Sequence, residues 1–138
     1  MRIAGLFALL LTAVLGWTGA APGADDIATA QGVIRAQEQA FGRDDAAAAY
    51  SYAAPAIKQI FPSESIFMSM VQNGYAPVYR HRSFEFGEAR EQGDWIAQRV
   101  HIVDENGTAW DALYTLERQV DGSFKITGCS LLKAGESA

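Results

Sequence analysis

The chain changes its hydrophobic rhythm part-way along, and that change limits what it can fold into. In the first half apolar residues recur at helical spacing. In the second half they form short runs rich in Val, Ile, Thr and aromatics. Turn residues separate those runs at Gln92-Gly93-Asp94, Asn106-Gly107 and Asp121-Gly122. Asn-Gly and Asp-Gly suit a two-residue hairpin, because a type I′ turn needs positive φ at both central positions. Four strands are predicted, at 82–91, 94–104, 109–119 and 124–133, in an antiparallel meander.

The helical half divides into three predicted helices. Over 27–41 a helical wheel places Ile27, Ala30, Val33, Ile34, Ala40 and Phe41 on one side. Gly42-Arg43 interrupts that pattern, and Asp44 is expected to cap a second helix running through the alanines to Ala53. Pro55 should end or kink it, because proline lacks a backbone donor and clashes with the preceding turn. The third helix is predicted from Ser63 or Glu64 to Gln72, burying Ile66, Phe67, Met70 and Val71, with Asn73-Gly74 as a left-handed stop. Helices first and a meander second give an α+β domain, three N-terminal helices packed on one face of a curved four-stranded antiparallel sheet.

Residues 1–24 carry the pattern of a secretory leader. Arg2 supplies the positive start, 3–17 is an uncharged run rich in Leu and Ala, and 18–24 is a stretch of small residues. The apolar run is shorter than the roughly 20 residues a bilayer core requires. Cleavage is expected after about Ala20 to Ala24, leaving one domain over 25–138, periplasmic or secreted, with no membrane span. The balance of 11 Lys and Arg against 16 Asp and Glu gives net charge -5. An acidic chain without a cationic run disfavours nucleic acid and anionic membrane surfaces as partners. Cys129 stands alone and cannot form an internal disulfide; it reads as a small buried residue in the last strand. His81 and His101 have no metal-ligand spacing around them, so no metal is expected. A Gly-x-Ser-x-Gly elbow and a Walker loop are missing as well, and no cofactor is expected.

Taking Asn106-Gly107 as the whole loop fixes a register: Val103 faces Trp110, His101 faces Ala112 and Arg99 faces Tyr114. Side chains alternate across the pleat, so Trp95, Arg99, His101, Trp110 and Tyr114 would share one face. On that reading Arg99 and Tyr114 hold a polar or anionic head group, Trp95 and Trp110 wall a recess, and His101 is the candidate proton carrier, its reference pKa being about 6.5. Gln37 lies within the apolar stripe of the first helix, either bonded to backbone in the core or projecting into a cavity beneath the helices. Arg80-His81-Arg82 would be split by strand alternation and is read as a solvated edge.

Several segments resemble a bacterial family of small exported proteins described as domain of unknown function 4864. They are Ile34-Arg35-Ala36-Gln37 and Phe41 ahead of Asp45-Ala46, Ala54-Pro55, and Tyr75-Ala76-Pro77-Val78-Tyr79-Arg80. Tyr114-Thr115-Leu116-Glu117-Arg118 and Asp121-Gly122-Ser123 leading to Ile126-Thr127-Gly128-Cys129 complete the set. The resemblance implies a nuclear-transport-factor-like, or cystatin-like, cone fold and carries no catalytic residues with it. Three functions are compatible with these readings. The first is a binding or accessory domain for an unknown small molecule or protein, without catalysis. The second is a cofactor-free lyase, isomerase or hydrolase with His101 as base, and the third is a homodimer through the sheet face.

Overall fold

A computed structural model describes residues 23–135; the leader expected over 1–24 lies almost wholly outside them. Five helices precede four strands: α1 Ala24–Gly42, α2 Ala46–Ser51, α3 Pro55–Ile60, α4 Glu64–Gly74 and α5 Ala76–Tyr79, then β1 His81–Gln92, β2 Trp95–Asp104, β3 Ala109–Arg118 and β4 Phe124–Lys133. The strands pair in sequence order as one antiparallel sheet. The α+β class and the meander are therefore as the sequence implies.

The helix count is not. Pro55 and Pro77 each sit in the first turn of a short helix, where a missing N–H removes nothing and the fixed φ favours helix. Reading Pro55 only as a breaker hides α3. Asp45, not Asp44, caps α2, accepting the Ala48 N–H at 3.0 Å. Asp44 adopts φ 55, a left-handed conformation that a short polar residue tolerates. Its carboxylate turns instead toward Tyr79 and Arg80. Gly74 also departs from expectation. It lies inside α4, outside the left-handed region, because the chain runs straight into α5 with the Tyr75 N–H bonded to the Val71 carbonyl at 2.9 Å.

The hairpins differ from the predicted geometry in one consequential way. In each, glycine alone is left-handed, at Gly93 (φ 58), Gly107 (φ 83) and Gly122 (φ 86), so none is a type I′ turn. At the second hairpin the Asp104 N–H bonds the Thr108 carbonyl at 2.9 Å and the Gly107 N–H returns to the Asp104 carbonyl at 3.1 Å. The loop is thus 105–107. The Asp104 carboxylate fastens it, accepting the N–H groups of Asn106 and Thr108 and the Trp110 indole, each at 2.9 Å. The Trp110 indole and then the Thr108 amide hold the Asp104 carboxyl below its usual range.

That extra loop residue shifts the pairing by one. Ile102 faces Trp110, Val100 faces Ala112, Gln98 faces Tyr114 and Ile96 faces Leu116. A one-residue slip moves a strand's side chains to the opposite face, so Arg99 and His101 lie on the other side of the sheet from Tyr114. The expected Arg99–Tyr114 neighbourhood does not exist. The inner face instead packs on the helices through Ile34, Phe41, Ile96, Ile102 and Leu116, each contributing roughly 1.5–3 kcal/mol by burial.

Besides an irregularity at Arg82 near the start of β1, two β-bulges bend the sheet around the helical layer. Gly87 and Glu88 together oppose Arg99, and Thr127 is the extra residue of β4 between Ile126 and Gly128. Such extra residues kink a strand and raise its local twist. The first is held by Gln98, which is 0% exposed. Its side-chain NH2 reaches the carbonyls of Gly87, Glu88 and Arg99, and its oxygen accepts from Gln31 of α1 at 3.1 Å.

Candidate functional site: an apolar cavity under the helices

Bulged strands and short helices together leave a recess that opens to solvent. A cavity of about 340 Å³ lies between α1, α3, α4 and the inner side of β3 and β4. Phe41, Phe61, Phe67, Met70, Val71 and Ile126 form much of its wall. The α3 side is the outer wall. That helix buries none of its own side chains, and Ile60, which also lines the cavity, is 70% exposed. Its root is fixed by a parallel bridge to β4, in which the Ala54 N–H bonds the Ile126 carbonyl at 2.8 Å and the Ile126 N–H bonds the Tyr52 carbonyl at 2.9 Å.

The polar groups in the cavity are few. Gln37 is 5% exposed, lines the cavity and donates its amide to the Ala49 carbonyl at 3.1 Å. Gln37 thus bonds the backbone of a helix, α2, in place of a strand or loop, and also lines the cavity. Tyr114, Cys129 and Tyr75 form a second group. Tyr114 and Cys129 are cross-strand partners, which brings the phenol and the thiol beside one another. The Tyr75 hydroxyl bonds the Cys129 carbonyl at 3.0 Å.

All three members of that group are neutral around pH 7. Burial pushes the Cys129 thiol up to about 12, with Tyr114 opposing, so the thiolate that nucleophilic chemistry needs is scarce. Burial, then the Cys129 and Glu38 side chains, raise Tyr114 well above the ordinary phenol range. Burial is also the main cause raising Tyr75. Among the described residues, no carboxylate, imidazole, ammonium or guanidinium belongs to the lining.

The remaining residues singled out from sequence lie elsewhere. On the outer face His101 Nδ1 meets Asp111 Oδ1 at 2.7 Å, and Arg99 stands 3.9 Å from the other oxygen. Gly87 lies beneath that imidazole, where a Cβ would come within 2.5 Å of Nε2. Trp95 is 48% exposed. Trp110 is half-buried at the turn, bonded to Asp104 and close to the Lys133 ammonium. Arg80 and His81 are not a solvated edge. The Arg80 guanidinium donates to the Phe41 carbonyl at the end of α1 at 2.7 Å. His81 sets Nε2 2.6 Å from Glu38 and Nδ1 2.9 Å from the Pro77 carbonyl. Both side chains tie the start of β1 to the last turns of α1.

Sequence reasoning missed the walls: Ile57, Phe61, Met70, Tyr75, Val78 and Cys129. A usable signal was present in 57–79. The helices there are too short to bury so many large apolar residues against one another, which marks them as lining something.

A family model matches residues 23–138. The chain belongs to the family described as domain of unknown function (DUF4864). The DUF4864 match takes in every described residue, so the helical and sheet walls of the cavity both lie within the family's domain. Neither a curated protein nor a solved structure matches the chain. Among the described residues, no cluster of three or more His, Cys, Asp or Glu is placed to hold a metal ion, and no helix is long and apolar enough to cross a membrane.

Proposed function

We propose that this DUF4864 domain binds a small apolar molecule in the cavity under its helices and performs no chemistry on it. The observation that carries the reading is the lining itself. It combines apolar and aromatic walls with a few inward polar groups, the usual construction of a small-molecule site. The cavity of about 340 Å³ falls at the small end of such sites. Acid–base catalysis at neutral pH needs a group that titrates near it, and the lining supplies none. His101, the base of the enzyme reading, faces away from the cavity across the sheet. Within this proposal Gln37 and Tyr114 are the ligand-facing polar residues.

The nuclear-transport-factor-like cone assignment belongs to the same proposal, supported by helices seated on one face of a bulged sheet with a recess between the layers. So does work outside the cytoplasm of a bacterial cell. Residues 1–22, outside the family match, hold Arg2, the apolar run and most of the small-residue stretch. Mass spectrometry of the mature N-terminus tests the export step, and an intact Met1 in the exported fraction counts against it.

For the cavity, the small neutral dye 1-aminonaphthalene gives a direct test. Its fluorescence should rise saturably at one dye per chain, disappear in Met70→Trp, which fills the space, and persist in Arg99→Ala. A rise that does not saturate, or one that survives Met70→Trp unchanged, would remove the reading.

A further inference from the structure

The chemistry of the lining says more than that something apolar fits. Resting on the cavity reading above, we infer that the ligand is electrically neutral, that it carries a single oxygen acceptor, and that the Tyr114 hydroxyl holds that oxygen. Two observations lead there.

The first is charge. A carboxylate or ammonium taken out of water must be paired, or its burial is strongly unfavourable. The cavity side chains that could pair with an ion are only amide, hydroxyl and thiol groups: Gln37, Tyr75, Tyr114, Thr127 and Cys129. No side chain among them supplies a counter-charge. The charged residues flanking the lining are committed elsewhere: Glu38, whose charge reaches Tyr114, is held by Arg35 and His81, Lys58 lies over the Tyr50 ring, and Lys125 donates to the Ser51 carbonyl. Arg80 is held by Phe41 and Asp44, and Arg35 by Glu38 and the Phe84 carbonyl, its guanidinium lying over the rings of Phe84 and Phe86. An acid could enter only after taking up a proton.

The second is the state of the donors. The Tyr75 hydroxyl already has a carbonyl oxygen at 3.0 Å, one N–H of the Gln37 amide has another at 3.1 Å, and the Thr127 hydroxyl donates to Thr115 at 2.8 Å. Tyr114 is different. The polar side chain across the ladder from it is the Cys129 thiol, whose sulfur is a weak acceptor. A ketone, ester or alcohol oxygen is the better acceptor, so a ligand that offers one gains a hydrogen bond while the protein gives up little. Tyr114 is 2% exposed, and an unscreened bond of that kind discriminates strongly between head groups. The volume suits a molecule of roughly eleven heavy atoms, taking about 30 Å³ for each water-sized group.

A set of probes sharing one phenyl ring and a four-carbon chain separates the possibilities. Butylbenzene is apolar, butyrophenone adds a neutral carbonyl, 4-phenylbutyrate is an anion and 4-phenylbutylamine a cation. Binding to the purified protein is measured by titration calorimetry between pH 5 and 8. Butyrophenone should bind with an affinity that does not change with pH. At pH 7.5 the anion should bind at least ~100-fold more weakly and gain about tenfold for each unit of pH lowered, because only its protonated form enters. The amine should not bind measurably. Tyr114→Phe should weaken butyrophenone roughly tenfold and leave butylbenzene unchanged.

Phenylbutyrate that matches butyrophenone at pH 7.5 without pH dependence overturns the neutral-ligand inference and leaves the cavity reading standing. Butyrophenone binding unaltered by Tyr114→Phe overturns the role given to Tyr114. The head-group series itself uses unaltered protein, so it decides the question of charge even where the variant does not fold. If butylbenzene and butyrophenone both fail to bind, the cavity reading falls, and this inference falls with it.

Discussion

The two faces of the β2–β3 ladder use their polar residues in opposite ways. On the inner face Gln98 is sealed from water and bonds the carbonyls of Gly87, Glu88 and Arg99 and the side chain of Gln31. On the outer face Arg99 and His101 share the Asp111 carboxylate in contact with solvent. Only the inner arrangement fixes the shape of the sheet, since it fills the hydrogen-bonding needs of a bulge. The outer one can exchange each partner for water. The chemical identity of a polar residue thus says little until its face is known.

Three substitutions grade that contrast. Gln98→Leu should have the largest effect, a loss of about 2–4 kcal/mol in urea denaturation, because the bulge carbonyls and the Gln31 amide lose a buried partner. A loss near zero would show that water reaches the bulge and would erase the distinction between the faces.

Asp44→Asn should be smaller and sensitive to acid. The Tyr79 hydroxyl chiefly, then Arg80, hold the Asp44 carboxyl below its usual value. A carboxyl depressed in the folded state contributes fully above its unfolded value of about 3.9 and loses that contribution as pH falls through the folded value. The difference in urea midpoint between the wild-type protein and the variant should therefore be constant from pH 8 to 6 and shrink below about pH 4. A difference that grows in acid would mean that the ionised carboxylate is not what stabilises this corner.

His101→Ala should be the smallest, within about 0.5 kcal/mol of the wild-type protein, as exposed ion pairs generally are. A loss approaching that of Gln98→Leu would indicate that the outer face is covered in solution, and analytical ultracentrifugation of the same samples would then show association.

The sequence shows where the elements lie more clearly than how they meet. Strand limits near 82–91, 94–104, 109–119 and 124–133 match β1 to β4 closely, because turn glycines bound each run and the apolar patterns fill the space between. Register was harder to read, since it depended on a single residue. Asn106-Gly107 reads as a complete two-residue loop, yet Asp104 can bond the amides of Asn106 and Thr108 together with the Trp110 indole. That set closes the ladder one residue earlier. The β3–β4 turn repeats the device, with the Gln119 N–H on the Ser123 carbonyl, the Gly122 N–H on the Gln119 carbonyl, and the Asp121 carboxylate on Ser123. In both turns an acidic residue accepts a backbone N–H two residues further on, a local bond that competes with the tight hairpin.

The candidate site was legible only in part, for the same reason. Gln37 stood out because an amide in an apolar stripe needs a partner, and it does line the cavity. Tyr114 was singled out as well, but beside Arg99, which the true register puts on the far side. Cys129 reads as a small buried strand residue, and nothing in its neighbours along the chain announces Tyr114 or Tyr75. Those three meet through strand pairing and through the path of the segment linking α4 to α5, both products of the folded chain.

The weakly anchored α3 wall has a consequence for selectivity. One end of the recess is rigid, set by paired strands and by the Tyr114–Cys129–Tyr75 group. The opposite side is a six-residue helix, hinged at the Ala53–Ile126 bridge and presenting Ile57 and Ile60. On the binding reading proposed above, a guest would therefore meet strict chemical scrutiny at its head and tolerance at its tail. Homologous molecules differing in length or branching should be accepted together, while a change of a single atom in the head group should decide admission.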